Sequence, residues 1–293
     1  MLDFFTPYLR RFAVPLAAGL ASALLLTACA GRPEAPILES ANSTWAVQTA
    51  SRLAALLPAD VLLVGEQHDA PDHHQIEQHI VSSLAARGLL AAVALEMADT
   101  GTSTAQLKPS ATDTAARQAL QWNDKAWPWA DYGPAVMTAV RAGVPVLGAN
   151  LPAGQMLQKM QDASLDGQLP GPALKAQQQG IRIGHCNLLP ESQITPMTRI
   201  QIARDRAMAA TLQQVLLPGK TVVLLAGNAH VDRTLGVPQH LPAGVKAASL
   251  HLRAGNGLEG SSTTDANSVW ATPALPETDY CAGLADQLAS PKK

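Results

Sequence analysis

Residues 60–74 read Asp-Val-Leu-Leu-Val-Gly-Glu-Gln-His-Asp-Ala-Pro-Asp-His-His, and residues 221–230 read Thr-Val-Val-Leu-Leu-Ala-Gly-Asn-Ala-His. In each, a short apolar run ends at a glycine and a histidine follows three residues later. A Val- and Leu-rich run without polar alternation is what a strand buried on both faces requires. After the first run, Pro71 suits a first helical turn, and Ile76, Ile80 and Leu84 recur every four residues before Gly88, which predicts a helix over 72–87. Further strands are predicted at 91–95, ending at Glu96, at 144–147, at 221–226 and at 245–252. Helices are predicted over 103–121 and 131–142, and from Thr195 as N-cap with Pro196 to about Leu217; residues 152–190 read as short helices and loops. Strands alternating with helices mean βαβ units: an α/β fold, with a mainly parallel sheet flanked by helices on both faces.

The chain's 293 residues are 47% hydrophobic and 15% charged, enough to bury a real core and unlike a disordered chain. The net charge of −2, with no long basic run, gives no reason to expect a nucleic-acid partner. Aromatics are scarce at 4%, so the core must be built from Ala, Leu and Val. Arg10 and Arg11 precede an apolar stretch from Phe12 to Leu26, and Leu26-Thr27-Ala28-Cys29 has the pattern of a bacterial lipoprotein cleavage box. The expectation is a signal peptide over 1–28, a lipidated Cys29, a tether over 29–43, an α/β domain over 44–255 and a polar tail over 256–293. Ala30 after the cysteine is like lipoproteins sorted to the outer membrane, so the body is expected to be lipid-anchored there, facing the periplasm. The remaining cysteines, Cys186 and Cys281, are either a disulfide or two buried thiols.

In parallel sheets ligands sit outside the carboxyl ends of the strands. Each predicted strand end here carries a polar side chain: Glu66 and His68, Glu96, Asn150, and Asn228 and His230. Chance alone would give roughly 0.6 Gly-x-x-His pairs in this composition, and both of these follow apolar runs. His68, Glu96 and His230 have the donor chemistry to hold a divalent metal with an open position, with Glu66 as a second ligand or a general base. The plainer alternative is that the histidines cap turns and the carboxylates accept backbone N–H groups. His73, His74 and His79 fall on a helix, where a solvated face is the plain reading. Trp122, Trp127 and Trp129 form either a small core or a lid, and Arg204, Asp205 and Arg206 read as surface ion pairs. Adjacent His185 and Cys186 lack zinc-finger spacing.

The segments VLLVGEQHDAPDHH (61–74), VALEM (93–97), VPVLGANLP (144–152), HCNLLP (185–190), QIARDRAMA (201–209) and VVLLAGNAHVDRTLGVPQHL (222–241) together resemble the ChaN-like haem-binding lipoproteins, part of the wider Tiki and erythromycin-esterase superfamily. The resemblance covers about residues 55–250. It implies an α/β domain with a smaller helical insertion, here about 103–200, bound to the outer membrane and binding haem in iron uptake. Haem needs an axial ligand and an apolar wall. The candidates are His68, His73, His74, His185 and Tyr132 for the iron, and Trp122, Trp127, Trp129 and Tyr132 for the wall. Some relatives use tyrosine at the iron, and after residue 28 only Tyr132 and Tyr280 are present. The resemblance also hints that Arg204 and Asp205 reach the site, and it leaves room for a homodimer. The wider superfamily includes metal-dependent proteases and esterases. Their two Gly-x-x-His motifs and glutamate correspond to His68, His230 and Glu96, with Mn, Co or Zn as the metal and a peptide or ester as substrate.

Overall fold

The computed structural model describes residues 37–255 and 266–289. The expected signal peptide, Cys29 and the start of the tether lie outside the described residues. Six strands, β1 (Val61–Glu66), β2 (Leu90–Asp99), β3 (Val146–Asn150), β4 (Thr221–Gly227), β5 (Ala247–Ala254) and β6 (Ser268–Thr272), form one sheet in the order β3-β2-β4-β1-β5-β6. All neighbouring strands run parallel. Nine helices are described: α1 (Ile37–Leu53), α2 (Pro71–Ala86), α3 (Asp113–Ala119), α4 (Trp129–Arg141), α5 (Met156–Gln161), α6 (Gly171–Gly184), α7 (Glu191–Gln214), α8 (Asn228–Val231) and α9 (Tyr280–Ala289).

Because side chains alternate along a strand, each strand serves two cores. Leu62 and Val64 of β1, Val93 and Leu95 of β2, and Val223 and Leu225 of β4 point to one face. There they meet Ile76, Ile80 and Leu84 of α2 and Val136 and Val140 of α4. Val61, Leu63, Ala92, Ala94, Val222 and Leu224 point to the other face, against Met208 and Leu212 of α7 and Val231 of α8. Truncating any fully buried Leu of these layers to Ala would cost about 2–5 kcal/mol.

The helices between β3 and β4 build their own small cores on the first half of α7. Leu165 and Leu169 pack on Ile202, and Ile181 packs among Ile194, Met197 and Ile200. That packing explains why α7 opens at Glu191 and not at Thr195, leaving Pro196 inside the helix. Ile194 is buried and Arg182 grips the Glu191 carboxylate at 2.8 and 2.9 Å, so tertiary contacts override the local start signal. Of the helix expected over 103–121, only Asp113–Ala119 is helical, capped by Thr112. Upstream of it, Thr104 is tied to Val146 at the edge of the sheet through both its backbone N–H and its hydroxyl, which accepts from the Val146 N–H. α1 opens at Ile37, within the stretch read as a tether. The expected polar tail instead contains β6, which extends the sheet, and α9; Cys281 of α9 is disulfide-bonded to Cys186.

His73 and His74 do not lie on a solvated helix face, since both are buried. His73 is a cross-tie. Its Nδ1 accepts from the Gln67 N–H at 2.9 Å, which leaves Nε2–H to donate to the Thr272 hydroxyl at 3.1 Å. Burial, only partly opposed by the Glu66 carboxylate, pushes its pKa down to about 4. An unfolded histidine titrates near 6.5, so the stability from His73 is complete above that pH and is lost as pH falls toward 4. We expect urea unfolding of the full chain to show about 2 kcal/mol of this loss between pH 7 and 4.5. A His73→Gln variant, measured alongside to separate His73 from the other histidines, should lose less over the same interval. Equal losses in the two proteins would refute the assignment.

Candidate functional site

Strand order places the carboxyl ends of β2, β4 and β1 side by side, with Glu66 opposite Gly227 in the β1–β4 register. Strand parity then separates the two glutamates. Glu66 continues the Leu62–Val64 face toward α2 and α4, whereas Glu96 continues the Ala92–Ala94 face toward α7 and α8. Both are buried, at 1% and 4% exposure.

On the first side, Glu66 Oε1 accepts from the Tyr132 hydroxyl at 2.8 Å and pairs with His68 Nδ1 at 2.7 Å; its Oε2 lies 3.0 Å from His74 Nε2. Burial alone would raise this carboxyl, but the His68 hydrogen bond and the His74 imidazole hold it well below the usual carboxylate range. Glu77 of α2 is fully buried beside it. Burial and the Glu66 charge push the Glu77 carboxyl far up, favouring its neutral form.

On the second side, His230 stands between two carboxylates, with Nδ1 2.6 Å from Asp205 Oδ1 and Nε2 3.2 Å from Glu96 Oε1. Its burial works against protonation, but Glu96 and Asp205 prevail and raise it to about 10, so it is an imidazolium. Burial lifts Asp205 to about 6 against the pull of His230. Glu96 Oε2 accepts the Gly227 N–H at 2.7 Å. Burial would raise Glu96, but His230, His68 and Arg204 hold it well below the usual range.

His68 joins the halves: Nδ1 is on Glu66 and Nε2 is 3.9 Å from Glu96. Its side chain is 38% exposed, against 7% for His74 and 5% for His230. Trp127 packs edge-on against it with ring centroids 4.9 Å apart.

The glycines of the two motifs explain how this fits. Neither has a positive φ, so their role is space. A Cβ on Gly65 would lie 2.4 Å from Val231 Cγ2 and 2.6 Å from Asn228 Oδ1, both of the second turn. A Cβ on Gly227 would lie 2.9 Å from His68 Nε2, in the first. Each turn occupies the room that the other's glycine leaves.

Of the residues singled out in the sequence, the fold gathers Glu66, His68, His74 and Tyr132 on one side, and Glu96, His230 and Arg204 on the other. Arg204 and Asp205 are buried facing Glu96 and His230, and do not form surface ion pairs. His73 is turned away to Thr272. Trp129 is also displaced from the site, donating its indole N–H to Asp113 at 3.0 Å, and the tryptophan against His68 is Trp127. His185, at the end of α6, sets its Nδ1 2.8 Å from the Ile181 carbonyl. Glu77, four residues after His73 on the helix face expected to be solvated, is buried instead, as its place within the spacing of Ile76 and Ile80 allowed. Among the described residues, no group of three or more His, Cys, Asp or Glu is arranged to hold a metal ion. His68 and His230 instead turn onto the two oxygens of Glu96.

Residues 52–241 match the family model described as haem-binding uptake, Tiki superfamily, ChaN. No curated protein matches. Among solved structures, ChaN of Campylobacter jejuni, described for cofacial haem binding, is 26% identical with a TM-score of 0.62, covering 75% of this chain and 89% of that one. The type III effector HopBA1 is 15% identical with a TM-score of 0.43, covering 80% of this chain and 94% of that one. The RRSP effector domain of a Vibrio vulnificus MARTX toxin is 12% identical with a TM-score of 0.38, covering 79% of this chain and 42% of that one.

The interlocked glycines lead to a two-sided expectation. Gly65→Ala must push against Val231 and the Asn228 backbone, and should lower the urea unfolding free energy by about 1–3 kcal/mol. Gly180→Ala, in α6 with nothing within 4 Å of the new methyl, should raise it by up to about 1 kcal/mol. A harmless Gly65→Ala would show that the turns do not compete for space.

Proposed function

Because the chain belongs to the ChaN family of haem-binding uptake proteins in the Tiki superfamily, we propose that it binds haem through His68 and serves iron uptake as a lipoprotein of the outer membrane, facing the periplasm. The observation that carries the haem reading is the state of His68. It combines a half-exposed imidazole with a carboxylate on Nδ1, so that Nε2 is the nitrogen left to coordinate. When bound, haem supplies an iron that takes an axial ligand and a flat apolar face that needs a wall. Trp127 stands edge-on to His68 and fits that need. The other axial candidates are committed inside the protein: Tyr132 to Glu66, His73 to Gln67 and Thr272, His74 against Glu66, and His185, buried, against the Ile181 carbonyl.

The signal-like residues 1–28, the box ending at Cys29 and the following Ala30 support the lipid anchor. The Cys186–Cys281 disulfide agrees with an oxidising periplasm. Cofacial haem binding is described for the C. jejuni protein, and we extend the reading to a homodimer of this chain.

A second reading, a metal-dependent hydrolase, is favoured by one observation. Both His68 and His230 carry a carboxylate on Nδ1, at 2.7 and 2.6 Å, as metal-ligating histidines do, and both Nε2 atoms lie beside Glu96. Absorbance titration of haemin into the purified full chain, with metal analysis of the same sample, separates the two. The haem reading expects a saturable Soret shift near one haem per chain, and a loss of more than roughly tenfold in affinity for His68→Ala. No shift together with stoichiometric Mn, Co or Zn would overturn it in favour of the hydrolase.

A further inference from the structure

Three ties reach the His68 loop from residues beyond 241, where the family match ends. Gln67 Oε1 accepts from the Ala254 N–H of β5 at 2.7 Å. Thr272, the last residue of β6, accepts the His73 Nε2–H at 3.1 Å, and the same imidazole holds the Gln67 N–H. Tyr280, the first residue of α9, donates its hydroxyl to the Asp69 carboxylate, one residue past His68. The next residue, Cys281, is bonded to Cys186, which follows His185 at the end of α6. The C-terminal segment is therefore pinned at one point to the loop that carries His68 and at the adjoining residue to the insertion between β3 and β4. Cys281 is exposed and Cys186 half-buried, and Tyr280 is itself 45% exposed.

We propose that the segment from β6 through α9 is a disulfide-latched strap that positions the His68 loop and controls exchange of the ligand bound there. The ligand half of this inference rests on the haem reading; the positioning half does not. The latch opens by thiol–disulfide exchange. The thiolate of a dithiol reductant attacks one sulfur, the Cys186–Cys281 bond breaks, and the resulting mixed disulfide is resolved by the second thiol of the reductant. The protein gains two electrons and two protons as two thiols, and the dithiol leaves as a cyclic disulfide. Without the cross-link, the exposed Tyr280–Asp69 hydrogen bond is left to hold the start of α9 to the loop and opens more readily, loosening the outer of the loop's three ties.

The test is hydrogen–deuterium exchange on the full chain, oxidised and after dithiothreitol, followed by transfer of bound haem to apomyoglobin under the same two conditions. Reduction should speed exchange across residues 67–74 and 280–285 by roughly tenfold, and Cys281→Ser should show that faster exchange with or without reductant. Tyr280→Phe, which keeps the disulfide, should speed exchange at 67–74 alone. Haem transfer should quicken several-fold wherever exchange at 67–74 does. Unchanged exchange at 67–74 on reduction would overturn the strap. Faster exchange with unchanged haem transfer would overturn its control of the ligand. A chain that binds no haem refutes the haem reading, and the exchange experiment then still decides whether the strap positions the loop.

Discussion

Two turns of chain share one space at the carboxyl ends of β1 and β4, and neither can be built without the other's glycine. Gly65 leaves room for Val231 and Asn228, and Gly227 leaves room for the His68 ring. The β1–β4 register, which sets Glu66 opposite Gly227, brings the turns to the same height. Everything else at the site is hung on this lock. β2 lies on the far side of β4, so Glu96 arrives at the same level and accepts the Gly227 N–H. A one-residue slip would turn Glu66 and Glu96 each to the opposite face and dissolve the arrangement.

The site concentrates buried charge, and the charges are ordered in alternation. Glu66, Asp205 and Glu96 are separated and flanked by His68, His230 and Arg204, all but His68 deeply buried. A carboxylate taken out of water alone costs several kcal/mol, and removing one partner would leave another charge uncompensated. The same reasoning accounts for Glu77. A fourth carboxyl, buried beside the Glu66 charge, is pushed toward its neutral form. The apolar layers on both faces of the sheet offset what this cluster costs. The site is thus a local loss sustained by a distributed gain.

The strands and the principal sheet-flanking helices were readable because each is a local pattern: apolar runs closed by glycine, and the fourfold spacing of α2. The two histidine turns were readable for the same reason. What local pattern cannot carry is the partner. His73 and His74 sit in a sequence that reads as a polar helix face, yet Thr272, Gln67 and Glu66 bury and engage them from elsewhere in the chain. Arg204 and Asp205 read as surface charges for want of the knowledge that β2 and α8 would face them. Ser268–Thr272 contains one Val and one Trp among small residues, a weak strand signal that the free edge of β5 completes. Tertiary context decided each of these cases.

The size of the ligand separates what this scaffold can do. His230 is enclosed by Asp205, Glu96 and Gln201, whose amide nitrogen is 3.1 Å from its Nδ1, so nothing larger than an ion or a water could reach its Nε2. His68 is different, with one edge open beside Trp127 and the other turned inward to Glu96. A porphyrin can meet the first histidine and not the second, whereas a metal ion small enough to sit beside Glu96 would engage both. The two readings therefore compete for the same nitrogen, Nε2 of His68, since Nδ1 is held by Glu66. The loop carrying that imidazole, tied from β5, β6 and α9, sets where that nitrogen stands.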